Sequence, residues 1–125
     1  MAQLKVYDQS KIRGKATFLI NLASGASETI DVSALADADG ATARVNLIDV
    51  EWSSAAGITV KWDATSDETA LQLSGNGKLL EMALPYSTAS GATGDIIVTA
   101  GSGVATAILT VRKVAGFAAR TDYSG

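Results

Sequence analysis

Neither cysteine nor histidine occurs anywhere in the 125 residues, and proline occurs once, at Pro85. Without cysteine there is no disulfide, no thiol nucleophile and no cysteine-based zinc centre, although this says little about redox compartment. Without histidine the commonest general base, the Ser-His-Asp arrangement and the commonest metal ligand are all missing. Carboxylates could still do acid–base work. The expectation is nevertheless a protein that is not an enzyme, with no catalytic residue, no metal ligand set and no cofactor.

Long apolar runs are also lacking. The opening stretch MAQLKVYDQSKIRGK has none of signal-peptide length, and no later run approaches the ~20 residues of a membrane helix. Neither export by a secretory signal nor a membrane partner is expected. Charge is unevenly spread: residues 1–15 carry four basic side chains against Asp8, a net +3, and the remaining 110 carry six basic and twelve acidic ones, a net −6. An acidic body lacks the clustered basic face of a nucleic-acid-binding domain, so no nucleic-acid partner is expected.

The clearest periodicity lies between Arg44 and Asp63, which holds both tryptophans. Ile48, Val50 and Trp52 alternate with charged or small residues, and Ile58, Val60 and Trp62 do the same after SSAAG. This predicts two strands and a five-residue turn, with Trp52 opposite Ile58, Val50 opposite Val60 and Ile48 opposite Trp62, all six on one face.

Short strands separated by turn-formers fill the rest. Residues 16–23 alternate Phe18, Ile20 and Leu22 with Thr17, Leu19 and Asn21, and end at Ser24-Gly25. Residues 28–32 are β-prone, while 31–35 offer a single helical turn capped by Ser33. Asp37 to Thr42 reads as a loop. Residues 69–73 form a strand, and Asn76-Gly77 is a hairpin signal that would fold 78–84 back against it, up to Pro85. Residues 94–100 and 104–114 look like a further hairpin around Gly101-Ser102-Gly103. Helix is nearly absent, because the alanine-rich pieces are broken by Gly, Ser and Thr.

Seven or eight short strands at such spacing predict an all-β fold: an antiparallel β-sandwich of jelly-roll kind, with extended N- and C-terminal segments. The expected organisation is an N-terminal arm over 1–15, a sandwich over 16–115 and a tail over 116–125. The expected core is Phe18, Ile20, Leu22, Ile48, Val50, Trp52, Ile58, Val60, Trp62, Leu71, Leu73, Leu109 and Val111.

Several constellations invite promotion to sites. Asp37-Ala-Asp39-Gly and the acidic stretch from Asp63 to Glu68 space oxygens as a calcium loop does, but neither continues to the twelve-residue pattern with its closing glutamate, and solvated turns are the plainer reading. Asp49 and Glu51 form a carboxylate pair on one strand, better read as a solvent or subunit face than as a glycosidase centre. Trp52 and Trp62 could floor a sugar platform, yet their phase with Ile and Val favours core packing. The glycine pairs sit between strands with no following helix to hold a phosphate.

The runs Val60-Lys-Trp-Asp-Ala-Thr-Ser-Asp, Leu71-Gln-Leu-Ser-Gly-Asn-Gly-Lys-Leu, Gly94-Asp-Ile-Ile-Val-Thr and Ala107-Ile-Leu-Thr-Val-Arg-Lys resemble those of small virion structural proteins of tailed phages, over roughly residues 44–114. The resemblance implies a capsid decoration or cement protein on the outer surface of the virion capsid. Its implied partners are the major capsid protein and further copies of itself, often as a homotrimer. It carries no catalytic residues. A tail, neck or head-fibre component and a glycan-binding sandwich remain alternatives. Partner contacts are expected from the two terminal segments, through Leu4, Lys5, Val6, Tyr7, Lys11, Ile12 and Arg13 in the basic arm and Phe117 and Tyr123 in the tail. There apolar anchors lie among charges, and order would come with docking.

Overall fold

The computed structural model describes residues 2–8, 14–35, 38 and 42–117. The elements are β1 (Ala2–Asp8), β2 (Lys15–Leu22), β3 (Ser27–Ile30), a 3-10 turn (Val32–Ala34), β4 (Arg44–Ser54), β5 (Ile58–Trp62), β6 (Glu68–Leu73), β7 (Asn76–Leu79), β8 (Ile96–Ala100) and β9 (Ala105–Ala115). They form two antiparallel sheets, β1-β2-β9-β4-β7 and β3-β8-β5-β6, which make a β-sandwich. Apart from β1, the pairs β2·β9, β3·β8, β4·β7 and β5·β6 are nested, as if one long hairpin had been rolled up. The links β2–β3, β4–β5, β6–β7 and β8–β9 are therefore arches from one sheet to the other. They clasp one another at a single end, through Gly25 N–H to Gly101 O, Ala55 N–H to Val104 O and Gly101 N–H to Gly57 O.

Alternation builds the core as expected along β2, β5 and β9: Phe18, Ile20, Leu22, Ile58, Val60, Trp62, Leu109 and Val111 are buried, with Ala105 and Ala107 continuing the β9 face. Ile30, Val45, Leu47, Val50, Ile96 and Val98 on the neighbouring strands are buried with them. Trp52 and Leu71 are only partly buried and pack on the core's margin.

The three expected hairpins are not formed. Val50 and Val60 do face inward, but from opposite sheets, because β4 runs on through Ser53 and Ser54 and Ala55-Ala56-Gly57 is an arch. Sheets pack ~10 Å apart, and so short a link reaches across that gap as easily as it turns back, so both solutions bury the same alternating set. Asn76 and Gly77 lie within β7, opposite Ser53 and Trp52 of β4, and the bend falls at Gly75, whose φ is +64°. Gly77 is needed for space: a Cβ there would sit 2.8 Å from the Trp52 ring. β8 and β9 likewise belong to different sheets.

Ile48 leaves the expected core because β4 carries a bulge. Leu47 pairs with Val111 and Asp49 with Thr110, so Ile48 is the extra residue. Val45 and Leu47 point inward before the bulge and Val50 after it. Residues 28–35 satisfy both readings made of them, a strand and then a helical turn, but the cap is Asp31, whose carboxylate accepts from Ser33 N–H at 3.0 Å. The first residues of the expected arm form β1, paired along Ala2–Asp8 with β2 as an edge strand.

Candidate functional site

The outward face of the five-stranded sheet is laid out in rows by strand register. A central row runs Lys5, Leu19, Ile108, Glu51, Lys78 across all five strands. It is flanked by Thr17–Thr110–Asp49 and by Asn21–Thr106–Ser53–Asn76. Hydroxyls and amides bridge the strands: the Thr17 and Thr110 hydroxyls are 3.1 Å apart, and Thr106 donates to Asn21 Oδ1 at 2.8 Å. Short hydroxyl side chains stand along the flanking rows, and Leu19 and Ile108 are the apolar centre of the face.

A third row, Lys15–Arg112–Asn46, crosses β2, β9 and β4 near the bulge. After β7 the chain lies along β4 again, with Met82 N–H donating to Ile48 O at 2.7 Å and Leu84 N–H to Leu47 O at 3.1 Å. Glu81, in between, is the one non-glycine residue with positive φ (+57°) among those described, held there by its N–H donating to Asp49 Oδ1 at 2.8 Å. Sheet and returning chain enclose an open hollow of about 380 Å³, lined by the Lys15–Arg112–Asn46 row, Asp49, Ile48 and residues 81–83.

At the end with the longer loops, polar contacts link the connections, and Arg44 of β4 ties the five-stranded sheet to the chain leading into β8. Arg44 donates to the carbonyls of Ala43, Thr93 and Ala92, Thr93 Oγ1 donates to Asp63 Oδ2 at 2.8 Å, and Val32 N–H donates to Asp95 Oδ1 at 3.0 Å. Burial pushes the Asp95 carboxyl above its ordinary value. The Val32 N–H opposes the rise, Asp31 and Asp63 add to it, and Arg44 opposes it.

The terminal residues named as partner contacts are brought together only in part. Leu4 and Val6 lie on the inward-facing side of β1, opposite Ile20 and Phe18; Leu4 packs on the core and Val6 is 48% exposed. Lys5 points outward, and Tyr7 belongs to the same strand. Lys11, Ile12, Arg13 and Tyr123 lie outside the described residues. Phe117 is held by a bridge between Ala38 and Phe117, packs against the core and has the Lys113 ammonium 5.3 Å from its ring centroid, so it is an anchor within the chain.

Asp37 and Asp39 also lie outside the described residues. Asp63 and Asp67 are engaged in loop hydrogen bonds, Asp67 accepting from Ala64 N–H at 3.1 Å, and no group of three or more acidic side chains among the described residues is placed to hold a metal ion. Asp49 and Glu51 line different depressions and do not converge. Trp62 is 4% exposed, and Trp52 ties its Nε1–H to Ser74 O at 3.0 Å, so the two form no common platform. The hollow was missed from sequence because its floor depends on the bulge and its wall on residues 80–84 returning to β4. A glutamate in the left-handed region leaves no local signature. No family model matches the chain, and no curated protein matches it in sequence.

Proposed function

We propose that this chain is a non-enzymatic virion structural protein: a decoration or cement protein that binds the outer surface of a tailed-phage capsid through the major capsid protein and stabilises the shell. The observation that carries the reading is the outward face of the five-stranded sheet, hydroxyl-rich around Leu19 and Ile108 and bordered by Lys5, Glu51 and Lys78. Such a face can lie against another protein without a deep pocket, and its apolar centre within a polar rim suits an interface. The nested strand order is compatible with a jelly roll, an architecture used in capsid and lectin domains, and this supports the reading by analogy of fold. The resemblance of residues 44–114 to small virion proteins points the same way.

Association as a homotrimer belongs to the same proposal, with β1, the outer strand of its sheet among the described residues, offering its backbone edge to a neighbour. The test is the protein's copy number in purified particles. A number close to that of the shell protein is expected. A few copies per particle would assign it to the tail or neck, and absence from particles would overturn the reading.

A further inference from the structure

We propose that the hollow between the bulged strand β4 and residues 81–83 is a binding site for a carboxylate carried on a second polypeptide. The argument begins with a row of three donors. Lys15 and Arg112 are direct cross-strand partners on the solvent side, and Asn46 is the next partner along. Like charges directly opposite on neighbouring strands are destabilising, and such pairs are normally relieved by an acid nearby. The two acids that share the hollow, Asp49 and Glu81, form no ion pair with them. Among the described residues, neither Lys15, Arg112 nor the Asn46 amide has a side-chain hydrogen bond or an ion pair. The carboxylate that could have answered them, Asp49, turns instead to the backbone N–H of Glu81.

Cross-strand neighbours stand ~5 Å apart at Cβ, so one carboxylate can receive the Arg112 fork and a second donor from Lys15 or Asn46 together. The opposite wall decides which anion fits. Asp49 and Glu81 face the same hollow and bring its formal charge to zero. A phosphate dianion or a polyanionic nucleic acid would be repelled by that wall. A single carboxylate followed by backbone N–H groups meets the cations with its acid and the two acidic side chains with its amides. Ile48, Met82 and Ala83 supply an apolar floor for the intervening methylenes. At about 380 Å³ the hollow is large enough for one side chain and its flanking peptide units. The Glu81 N–H, donating to Asp49 Oδ1 at 2.8 Å, ties this wall to β4. The site is independent of the virion reading, since any chain presenting such a segment would serve.

The experiment is a titration of the full chain, followed by NMR at the Arg112 Nε–H and Asn46 side-chain amide resonances. The probes are a capped Gly-Asp-Gly peptide, the same peptide with Asn for Asp, and inorganic phosphate at equal ionic strength. Saturable shifts of both resonances are expected with the Asp peptide in the millimolar range, at least tenfold weaker with the Asn peptide and with phosphate. Arg112→Gln and Lys15→Gln should each weaken the Asp peptide at least fivefold while leaving the remaining spectrum unchanged. Arg112→Lys, which keeps the charge and loses the fork, should fall in between. Equal response to the Asp and Asn peptides, tighter response to phosphate, or no movement at these two resonances would each overturn the assignment.

Discussion

At the scale of single residues, the burial of Trp62 turns one sequence expectation into a measurable one. With 4% of its surface exposed, replacement by alanine removes a large apolar group and leaves a cavity, so Trp62→Ala should lower unfolding stability by ~3–5 kcal/mol in denaturant titration. A loss below ~1 kcal/mol would put the ring at the surface. Asp95 gives a prediction in pH. Because its folded-state pKa is raised, its contribution to stability is fully present below its unfolded value near 3.8 and is lost as pH rises through the folded value. Asp95→Asn keeps an acceptor for Val32 N–H and cannot ionise. The variant should therefore be at least as stable as the parent at pH 7, and any advantage should disappear as the pH falls to about 3, below the unfolded value. Denaturation midpoints at the two pH values check this; a variant less stable at pH 7 and equal at pH 3 would reverse the sign and refute it. Trp62 was legible because its phase with Ile58 and Val60 is local. The setting of Asp95 was not, since Asp31, Asp63 and Arg44 come from other segments.

The element that most separates pattern from structure is β4. Strict alternation put Ile48 in the core with Val50 and Trp52, and the bulge moved the inward positions to Val45, Leu47 and Val50. A pair of variants tests that shift. Ile48→Ser should change stability by less than ~1 kcal/mol, as a partly exposed position allows. Leu47→Ala should lose ~2–5 kcal/mol, because Leu47 is fully buried. The opposite ranking would restore the unbulged register. Strand identity was readable in β2, β5 and β9, where apolar and polar residues alternate for five or more positions. Strand pairing was not, because an arch and a hairpin of the same length bury the same residues. β1 shows the same limit: Leu4 and Val6 alternate with Lys5, but the basic residues of the segment made an arm the natural reading. Removing residues 1–8 leaves four strands facing four. The truncated chain should fold but lose ~2 kcal/mol, from the exposure of Leu4 and part of Val6 with their neighbours, by urea titration. An unfolded product would make β1 a required part of the sheet.

For the whole molecule, self-association is the open quantity with the most direct measurement. Sedimentation at micromolar concentration should give a species of about three times the 12.8 kDa chain. A single 12.8 kDa boundary would overturn trimerisation of the free chain. The nested strand order also governs how this molecule comes into being. β9, the last strand among the described residues, sits between β2 and β4, so Leu19 meets its neighbour Ile108 only once synthesis has passed residue 108. During synthesis the β5–β6 pair can close at once, whereas the inward sides of β2 and β4 must wait for β9. Refolding should accordingly fall in the slow, millisecond-to-second range of folds dominated by distant pairings, and nascent chains that stop short of residue 105 would carry an open sheet edge prone to capture by other chains.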